Sequence, residues 1–144
     1  MRAQLLLCGA ALALAACVDS TTTRLSQNRV QIDVSAAPVC RGADARRFAN
    51  HQAALETLRL GYDRYIVLGF QSQDNTRVVG ANFNPNGFGG VTATPIIGGS
   101  EDASIIVEMY QEGRPGSGNA LSAREALGPN WQQIVSEGLP DTCT

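Results

Sequence analysis

Three apolar segments of the chain follow the spacing of β-strands. Val30, Ile32 and Val34 alternate with polar residues, and this period of two predicts a strand with one buried face. The segment 66–68 is continuously apolar, which is typical of a central strand covered on both faces. The alternating segment 104–110 predicts another strand with one largely apolar face.

Between the first two of these strands the sequence predicts a helix. Asp44 is placed to cap its N-terminus, the helical pattern runs to about Leu60, and Gly61 can end it in the left-handed conformation. Strand, helix and strand within about 40 residues predict a right-handed crossover unit. We expect the helix to pack on the sheet through its apolar stripe, Phe48, Ala54, Leu55 and Leu58.

The middle of the chain has the composition of a loop. Gly, Asn, Pro and Thr dominate residues 80–100, so we expect a long mobile loop there. The segment 76–79 just before it predicts a short strand. Near the C-terminus, a helical pattern at 121–127 is broken by Gly128 and Pro129, and a further helical turn is expected to carry Trp131, Ile134 and Val135 inward.

These elements together predict an α/β (α+β) fold. The expected architecture is a small two-layer sandwich, in which two helices pack on a mixed sheet of three to four strands. The chain length of 144 residues suits one domain, which we place at residues 29–144.

The first 17 residues follow a different pattern. Arg2 precedes an apolar stretch at 5–14, and small residues come next. A short positive region, about ten apolar residues and small residues form an export signal, and the stretch is shorter than the roughly 20 residues of a membrane-spanning helix. Leu14-Ala15-Ala16-Cys17 resembles the lipobox of bacterial lipoproteins. The alternative is an ordinary secretory signal peptide followed by a chance cysteine.

The lipobox resemblance implies a role for Cys17. In that family the cysteine sulfur receives a diacylglycerol, a peptidase cleaves just before the cysteine, and the new amino group is commonly acylated. Residues 1–16 are then the signal peptide, and Cys17 is the lipid attachment residue. Residues 17–28, which are mostly polar and without periodicity, are expected to form a flexible tether. Two or three acyl chains hold a protein stably on a membrane, whereas one does so only marginally.

Sorting within the lipoprotein family depends on the residue after the cysteine. Aspartate there would favour retention in the inner membrane, and this chain has Val18. The resemblance therefore implies a bacterial outer-membrane location, with the domain facing the periplasm.

The same resemblance divides the four cysteines. Cys8 leaves with the signal peptide and Cys17 is acylated, so Cys40 and Cys143 remain in an oxidising compartment, where we expect them to form a disulfide bond. The bond would close a loop of about 100 residues and stabilise the fold by up to about 4.7 kcal/mol in the chain-entropy model. The alternative, a catalytic Cys40 assisted by His51, needs a free thiol.

A second resemblance lies in the segment 53–72, AALETLRLGYDRYIVLGFQS. It is similar to a helix-to-strand junction of small, uncharacterised proteobacterial envelope lipoproteins. The shared pattern is two alanines, a threonine, and then Gly-Tyr-Asp before an apolar strand. The order of lipobox, strand, helix, strand, variable loop, strand and C-terminal helix also agrees. The resemblance implies an envelope location and this fold, and it implies no activity.

Three polar side chains are candidates for a binding site. His51, the single histidine, shares the apolar stripe of the helix, and it is either a proton carrier or ligand or an imidazole at the edge of the core. Tyr62 and Asp63 form a polar pair at the helix-to-strand corner. Alternatively, Asp63 bonds to backbone N–H groups while the Tyr62 ring packs on the sheet.

The glycine-rich sequence NPNGFGG, residues 84–90, lacks the spacing of a phosphate-binding loop. The aromatic residues of this region, Phe83 and Phe88, form either an exposed contact surface or a cover over the core. We expect the second arrangement.

Composition restricts the function further. The chain has no lysine, which excludes a Schiff-base or phosphate-loop lysine. Its net charge of −2 is unlike that of a basic nucleic-acid-binding surface, so nucleic acid is not an expected partner. No carboxylate pair is placed for acid–base catalysis, and no cysteine and histidine spacing suits a metal. We therefore expect no catalytic residue, no metal and no cofactor beyond the covalent diacylglycerol and N-acyl lipid at Cys17.

The sequence thus predicts a lipid-anchored cell-envelope protein that binds or scaffolds another envelope protein without catalysis. The alternative is a periplasm-facing ligand-binding or hydrolytic protein that uses His51, with the 80–100 loop as a lid.

Overall fold

The computed structural model describes residues 18–87 and 89–142, which form two antiparallel sheets and three α-helices. The larger sheet has the strand order β1-β2-β6-β3-β7, and the smaller sheet pairs β4 with β5. The elements are β1 (Val18–Arg24), β2 (Arg29–Ala36), α1 (Gly42–Arg59), β3 (Arg64–Asp74), β4 (Arg77–Pro85), β5 (Val91–Gly98), β6 (Glu101–Tyr110), β7 (Leu121–Ser122), α2 (Ala123–Leu127) and α3 (Trp131–Glu137).

The predicted α+β class is confirmed, although the described chain has more strands than expected and none of its strand pairs is parallel. Both β2 and β3 are antiparallel to β6, so they run in the same direction with β6 between them. The predicted strand–helix–strand unit is therefore present, and β6 fills the space between its two strands. This insertion explains why the sheet is antiparallel rather than mixed.

The core lies between α1 and one face of the larger sheet. Alternate residues of β2 and β6 point to the helix and are buried: Val30, Ile32, Val34, Ile105, Val107 and Met109. The helix contributes small residues at every fourth position, and Ala45, Ala49 and Ala53 have at most 1% of their surface exposed. Residues four apart lie on one face of a helix, so this alanine stripe lets the helix backbone approach the sheet closely. The predicted Phe48 and Leu58 pack at the margin of the core instead.

Both ends of α1 are fixed by local hydrogen bonds. At the start, the Arg41 N–H donates to the Asp44 carboxylate at 3.2 Å, so Asp44 lies in the first turn rather than at the cap. At the end, Gly61 has a φ of 83°, as predicted for a left-handed terminator. The Tyr62 N–H donates to the Thr57 carbonyl at 2.9 Å, which completes a Schellman motif.

The prediction of a flexible tether is wrong for residues 18–24, which form β1. This strand pairs with β2 along its whole length, from Val18 opposite Ala36 to Arg24 opposite Val30. The Val18 side chain is 4% exposed, and the Val18 N–H donates to the carbonyl of Asp141 at 3.1 Å. The Thr-rich sequence has high β-propensity. Pairing with β2 holds it as a strand, although its polar composition is typical of a flexible segment.

The prediction of a long mobile loop at 80–100 is also wrong, because β4 and β5 pair as a hairpin. We call this hairpin, β4 (Arg77–Pro85) with β5 (Val91–Gly98), the arm. Its turn is closed by the Gly90 N–H, which donates to the Asn86 side chain at 2.8 Å. At its base, Gly99 has a φ of 113°, and a Cβ on Gly99 would lie 2.2 Å from the Asn75 carbonyl oxygen. Only glycine fits this close approach. The Val, Ile and Thr residues scattered among Gly and Asn supply the strand propensity.

Two adjacent isoleucines of β6 test which face of the sheet carries the core. Ile105 is 3% exposed and Ile106 is 37% exposed on the opposite face. We expect Ile105→Ala to lower the free energy of unfolding by about 2–5 kcal/mol because it leaves a cavity. The matched Ile106→Ala should cost less than about 1 kcal/mol. Urea unfolding measures both, and equal losses would contradict the assignment of the two faces.

Candidate functional site

Two of the predicted functional cysteines lie outside the described residues. The attachment role of Cys17 and the pairing of Cys143 therefore stay predictions. Cys40 is 1% exposed and disulfide-bonded, and a bonded sulfur has no thiolate to offer a nucleophilic site. Thr142, the neighbour of Cys143, lines a surface pocket with Asp44 of α1, so the end of the described chain lies close to the start of the helix that follows Cys40.

His51 lies on α1 beside this same surface pocket of about 220 Å³. Its lining comes from one end of α1 and from the C-terminal segment: Asp44, Arg47, Phe48, His51, Leu139, Pro140 and Thr142. Burial, and then the positive charge of Arg47, lower the pKa of His51 below its usual value. The imidazole is therefore held neutral at the edge of the core.

The predicted pair Tyr62 and Asp63 holds the corner between α1 and β3. The Asp63 carboxylate accepts hydrogen bonds from the Glu112 backbone N–H at 3.1 Å and from the Arg124 guanidinium at 2.9 Å. The Tyr62 hydroxyl donates to the Gln27 carbonyl at 3.1 Å. These bonds join four separate segments of the chain, so the Gly-Tyr-Asp sequence has a structural role here.

The structure does not bring His51 and Asp63 together. The eight residue steps from His51 to Arg59 alone cover about 12 Å along the axis of α1. Among the described residues of the 80–100 segment, none lines the pocket beside His51, so the two strands of the arm do not cover it as a lid. Phe83, which we expected to cover the core, is 70% exposed, and Phe88 lies outside the described residues.

The sequence did not reveal the largest site, which is the face of the larger sheet turned away from α1. We call it the open face. Residues directly opposite in antiparallel strands share a face, so the register of β1, β2, β6 and β3 places them in three rows: Thr23–Gln31–Ile106–Gly69, Thr21–Asp33–Ser104–Gln71 and Asp19–Ser35–Asp102–Gln73. A bulge in β3 between Val67 and Gly69 brings the two glutamines onto this face.

One part of the open face is polar. A shallow cavity of about 450 Å³ lies among Asp33, Gln71, Ser72, Gln73, Asp102, Ala103 and Ser104. The Asp102 carboxylate accepts hydrogen bonds from the Ser35 hydroxyl at 2.8 Å and the Asn75 amide at 2.6 Å. The Ser35 bond is the main cause that lowers the pKa of Asp102, so this carboxylate is ionised at neutral pH.

The other part of the open face is more apolar. A second cavity of about 470 Å³ is lined partly by the exposed side chains of Leu25, Leu68 and Ile106. At its edge, Glu108 accepts hydrogen bonds from the Tyr110 hydroxyl at 2.6 Å and from Arg29 at 3.0 Å. The Tyr110 bond, followed by Arg29, lowers the pKa of Glu108. Apolar and polar groups thus lie side by side on the open face.

The arrangement suits binding of an extended segment rather than coordination of an ion. Within residues 18–87 and 89–142, no three His, Cys, Asp or Glu side chains lie close enough to hold a metal. In the same part of the chain, no helix is long and apolar enough to cross a membrane. Every buried side-chain N or O atom described has a hydrogen-bond partner, so the polar groups left for a ligand are those at the surface.

Comparison with models of protein families, with curated proteins and with solved structures finds no significant match to this chain.

The pocket beside His51 gives a prediction about pH. Because the pKa of His51 is lower in the folded state than the usual 6.5, the unfolded chain takes up the proton first as the pH falls. Above about pH 7.5 both states are neutral and His51 contributes nothing, whereas below 6.5 protonation favours unfolding.

We therefore expect the thermal midpoint of the wild type to fall between about pH 7.5 and pH 5.5. His51→Gln, which cannot be protonated, should fall less over the same interval. The chain has no other histidine, so the two curves isolate this group. Parallel curves would show that His51 is not held neutral by the fold.

Proposed function

We propose that this protein is a cell-envelope lipoprotein without catalytic activity. It is attached to the outer membrane through lipid on Cys17, faces the periplasm, and binds or scaffolds another envelope protein through the open face. The observation that carries the binding role is the open face itself, a four-stranded surface with two cavities in it and with exposed Leu68 and Ile106 at its centre.

The start of β1 bears on how the attachment would work. The strand begins at Val18, the residue after Cys17, and consecutive Cα atoms are about 3.8 Å apart. Val18 is fixed by pairing with Ala36 and by its bond to Asp141. A lipid on Cys17 would therefore hold the domain at the membrane surface with no spacer, in a restricted set of orientations.

The chemistry of the open face favours binding over catalysis. The two acidic groups in its polar cavity already accept hydrogen bonds, Asp33 from Gln31 and Asp102 from Ser35 and Asn75. A general acid or base needs a pKa moved towards neutrality, whereas the pKa of Asp102 is lowered. Amide, hydroxyl and carboxylate groups beside exposed apolar side chains are the groups that recognise a protein segment.

The attachment is tested by metabolic labelling. Cells supplied with labelled palmitate should label the wild-type chain, and Cys17→Ala should remove the label because the acceptor sulfur is absent. Cys40→Ala is the matched control, and it should keep the label. Labelling of the Cys17 variant would show that the lipobox assignment is wrong.

The binding role is tested by photo-crosslinking in cells. A photoreactive amino acid at Gln71, in the middle row of the open face, should give a discrete adduct with an envelope protein. The control position is Arg47, which is exposed on the helix side and should give none. Ile106→Glu places a charge in the same face and should abolish the Gln71 adduct. An adduct that survives Ile106→Glu, or equal adducts from both positions, would contradict binding through the open face.

A further inference from the structure

The arm has one face that is entirely apolar. Cross-strand partners share a face, and the register of β4 and β5 pairs Ala81 with Pro95, Phe83 with Ala93 and Pro85 with Val91. The intervening pairs are Asn82 with Thr94 and Asn84 with Thr92. The outer part of the arm is therefore an amphipathic ribbon, with six apolar side chains on one side and four neutral polar ones on the other.

The arm exposes this apolar face, and beyond Arg77 at its base it has no charge with which to solvate it. From Val78 to Ser100 the sequence contains no charged residue, and Phe83 and Val91 are 70% and 63% exposed. A two-stranded ribbon cannot bury its own apolar face, and it is at best marginally stable alone in water. An exposed apolar surface of this kind marks a contact with something else.

The position of the arm indicates what that contact is. The sheet register places Val18, Ala36, Glu101 and Asp74 in one row at one end of the larger sheet. At a strand spacing of about 4.8 Å, the start of β1 lies about 14 Å from the base of the arm. β1 and β6 are both antiparallel to β2, so Val18 and Glu101, the first residues of the two strands, lie at the same end of the sheet. Val18, which follows the proposed attachment residue in sequence, and the base of the arm therefore share one end of the domain.

We propose that the arm lies flat in the interface of the membrane that carries the Cys17 lipid, with its apolar face against the acyl chains. The inference rests on the proposed attachment at Cys17. An amphipathic element binds a lipid interface through its buried apolar area, and the Asn and Thr side chains face the headgroups. The unpaired backbone groups along both edges of the ribbon cannot enter hydrocarbon, so the arm stays at the interface.

The arm itself argues against the other occupants. Pro85 in β4 and Pro95 in β5 remove edge N–H donors, which disfavours addition of a strand from a second copy or another protein. Beyond Arg77, the arm has no charge that would steer a charged partner. A lipid interface needs neither edge donors nor charge.

The test uses tryptophan as a depth probe in the mature lipidated protein. Phe83→Trp reports on the arm, and Leu121→Trp is the control, because Leu121 is 55% exposed on β7, opposite Tyr65 at the other end of the sheet. Both are made with Trp131→Phe, so that the chain has one tryptophan. The protein is reconstituted in phosphatidylcholine vesicles with or without bromine on the acyl chains.

We expect bromine to reduce the tryptophan emission of the Phe83→Trp variant roughly twofold or more, and to leave that of the Leu121→Trp variant nearly unchanged. The quenching should not change between low and high salt, because the outer part of the arm, which makes the contact, carries no charge. Ala93→Asp, on the apolar face, should abolish it, whereas the neighbouring Thr94→Asp, on the polar face, should not.

Palmitate labelling of the same samples separates failure of the anchor from failure of the arm. Labelled protein without quenching in the Phe83→Trp variant would overturn the inference and leave the anchor standing. Quenching without labelling would support the membrane contact and overturn the attachment. A blue shift of the Phe83→Trp emission that grows with protein concentration in the absence of vesicles would identify a second copy as the occupant, and would also overturn the inference.

Discussion

The pairing of β6 between β2 and β3 is the constraint on which the rest of the structure depends. β6 hydrogen-bonds to β2 from Glu101 to Glu108 and to β3 from Glu101 to Tyr110, so its register fixes both neighbours at once. If the register of β6 shifted by one residue, every side chain of the strand would move to the opposite face of the sheet, so that Ile106 would be buried and Ile105 exposed. The same register sets the rows of the open face and aligns the start of β1 with the base of the arm.

The helix layer depends on small side chains rather than large ones. The alanine stripe of α1 brings the helix backbone close to β2 and β6, and one polar contact joins the helix to β3. The Tyr65 hydroxyl, on the buried side of β3, donates to the Asn50 side chain at 2.9 Å. The buried Thr57 hydroxyl donates to the Ala53 carbonyl at 2.7 Å within the helix itself, so it needs no partner from the sheet. The helix therefore covers one face of the sheet only, and the other face is left for binding.

Sequence patterns predicted the elements whose burial follows a regular period. The strands at β2, β3 and β6, the helix ended by Gly61, and the inward Trp131 were all found, because alternation and a left-handed glycine are local signals. β1 and the arm were not predicted, because their Thr, Asn and Gly composition is that of a loop. They are strands because each pairs with a neighbouring strand, and that pairing leaves no local pattern in the sequence. The spacing of the alanines at 45, 49 and 53 indicates the buried face of the helix. The predicted stripe was centred elsewhere because it included Phe48, which is larger but only partly buried.

The candidate site could not be predicted from local sequence patterns. Gln31, Asp33 and Ser104 alternate as any solvent-facing residues of a half-buried strand would, and nothing local distinguishes a binding face from a solvated one. Three strands distant in sequence have to be placed side by side before the two cavities exist. For the junction residues Tyr62 and Asp63, the sequence suggested a function that the structure does not support. A polar pair at a corner is typical of a binding site, but these two side chains are hydrogen-bonded to Gln27, Glu112 and Arg124 and so have a structural role.

The proposed attachment at Cys17 and the proposed contact of the arm depend on each other energetically. The outer part of the arm, an uncharged ribbon with six apolar side chains, would bind a membrane only weakly from free solution. Once a neighbouring group is held at the same surface, the second contact becomes intramolecular, with an effective concentration of order millimolar for a short linkage. Because β1 begins directly after Cys17, no flexible spacer dilutes that concentration. The lipid and an arm whose base lies about 14 Å from the start of β1 would contact the membrane at two separate points, which limits rotation of the domain and restricts the direction in which the open face points.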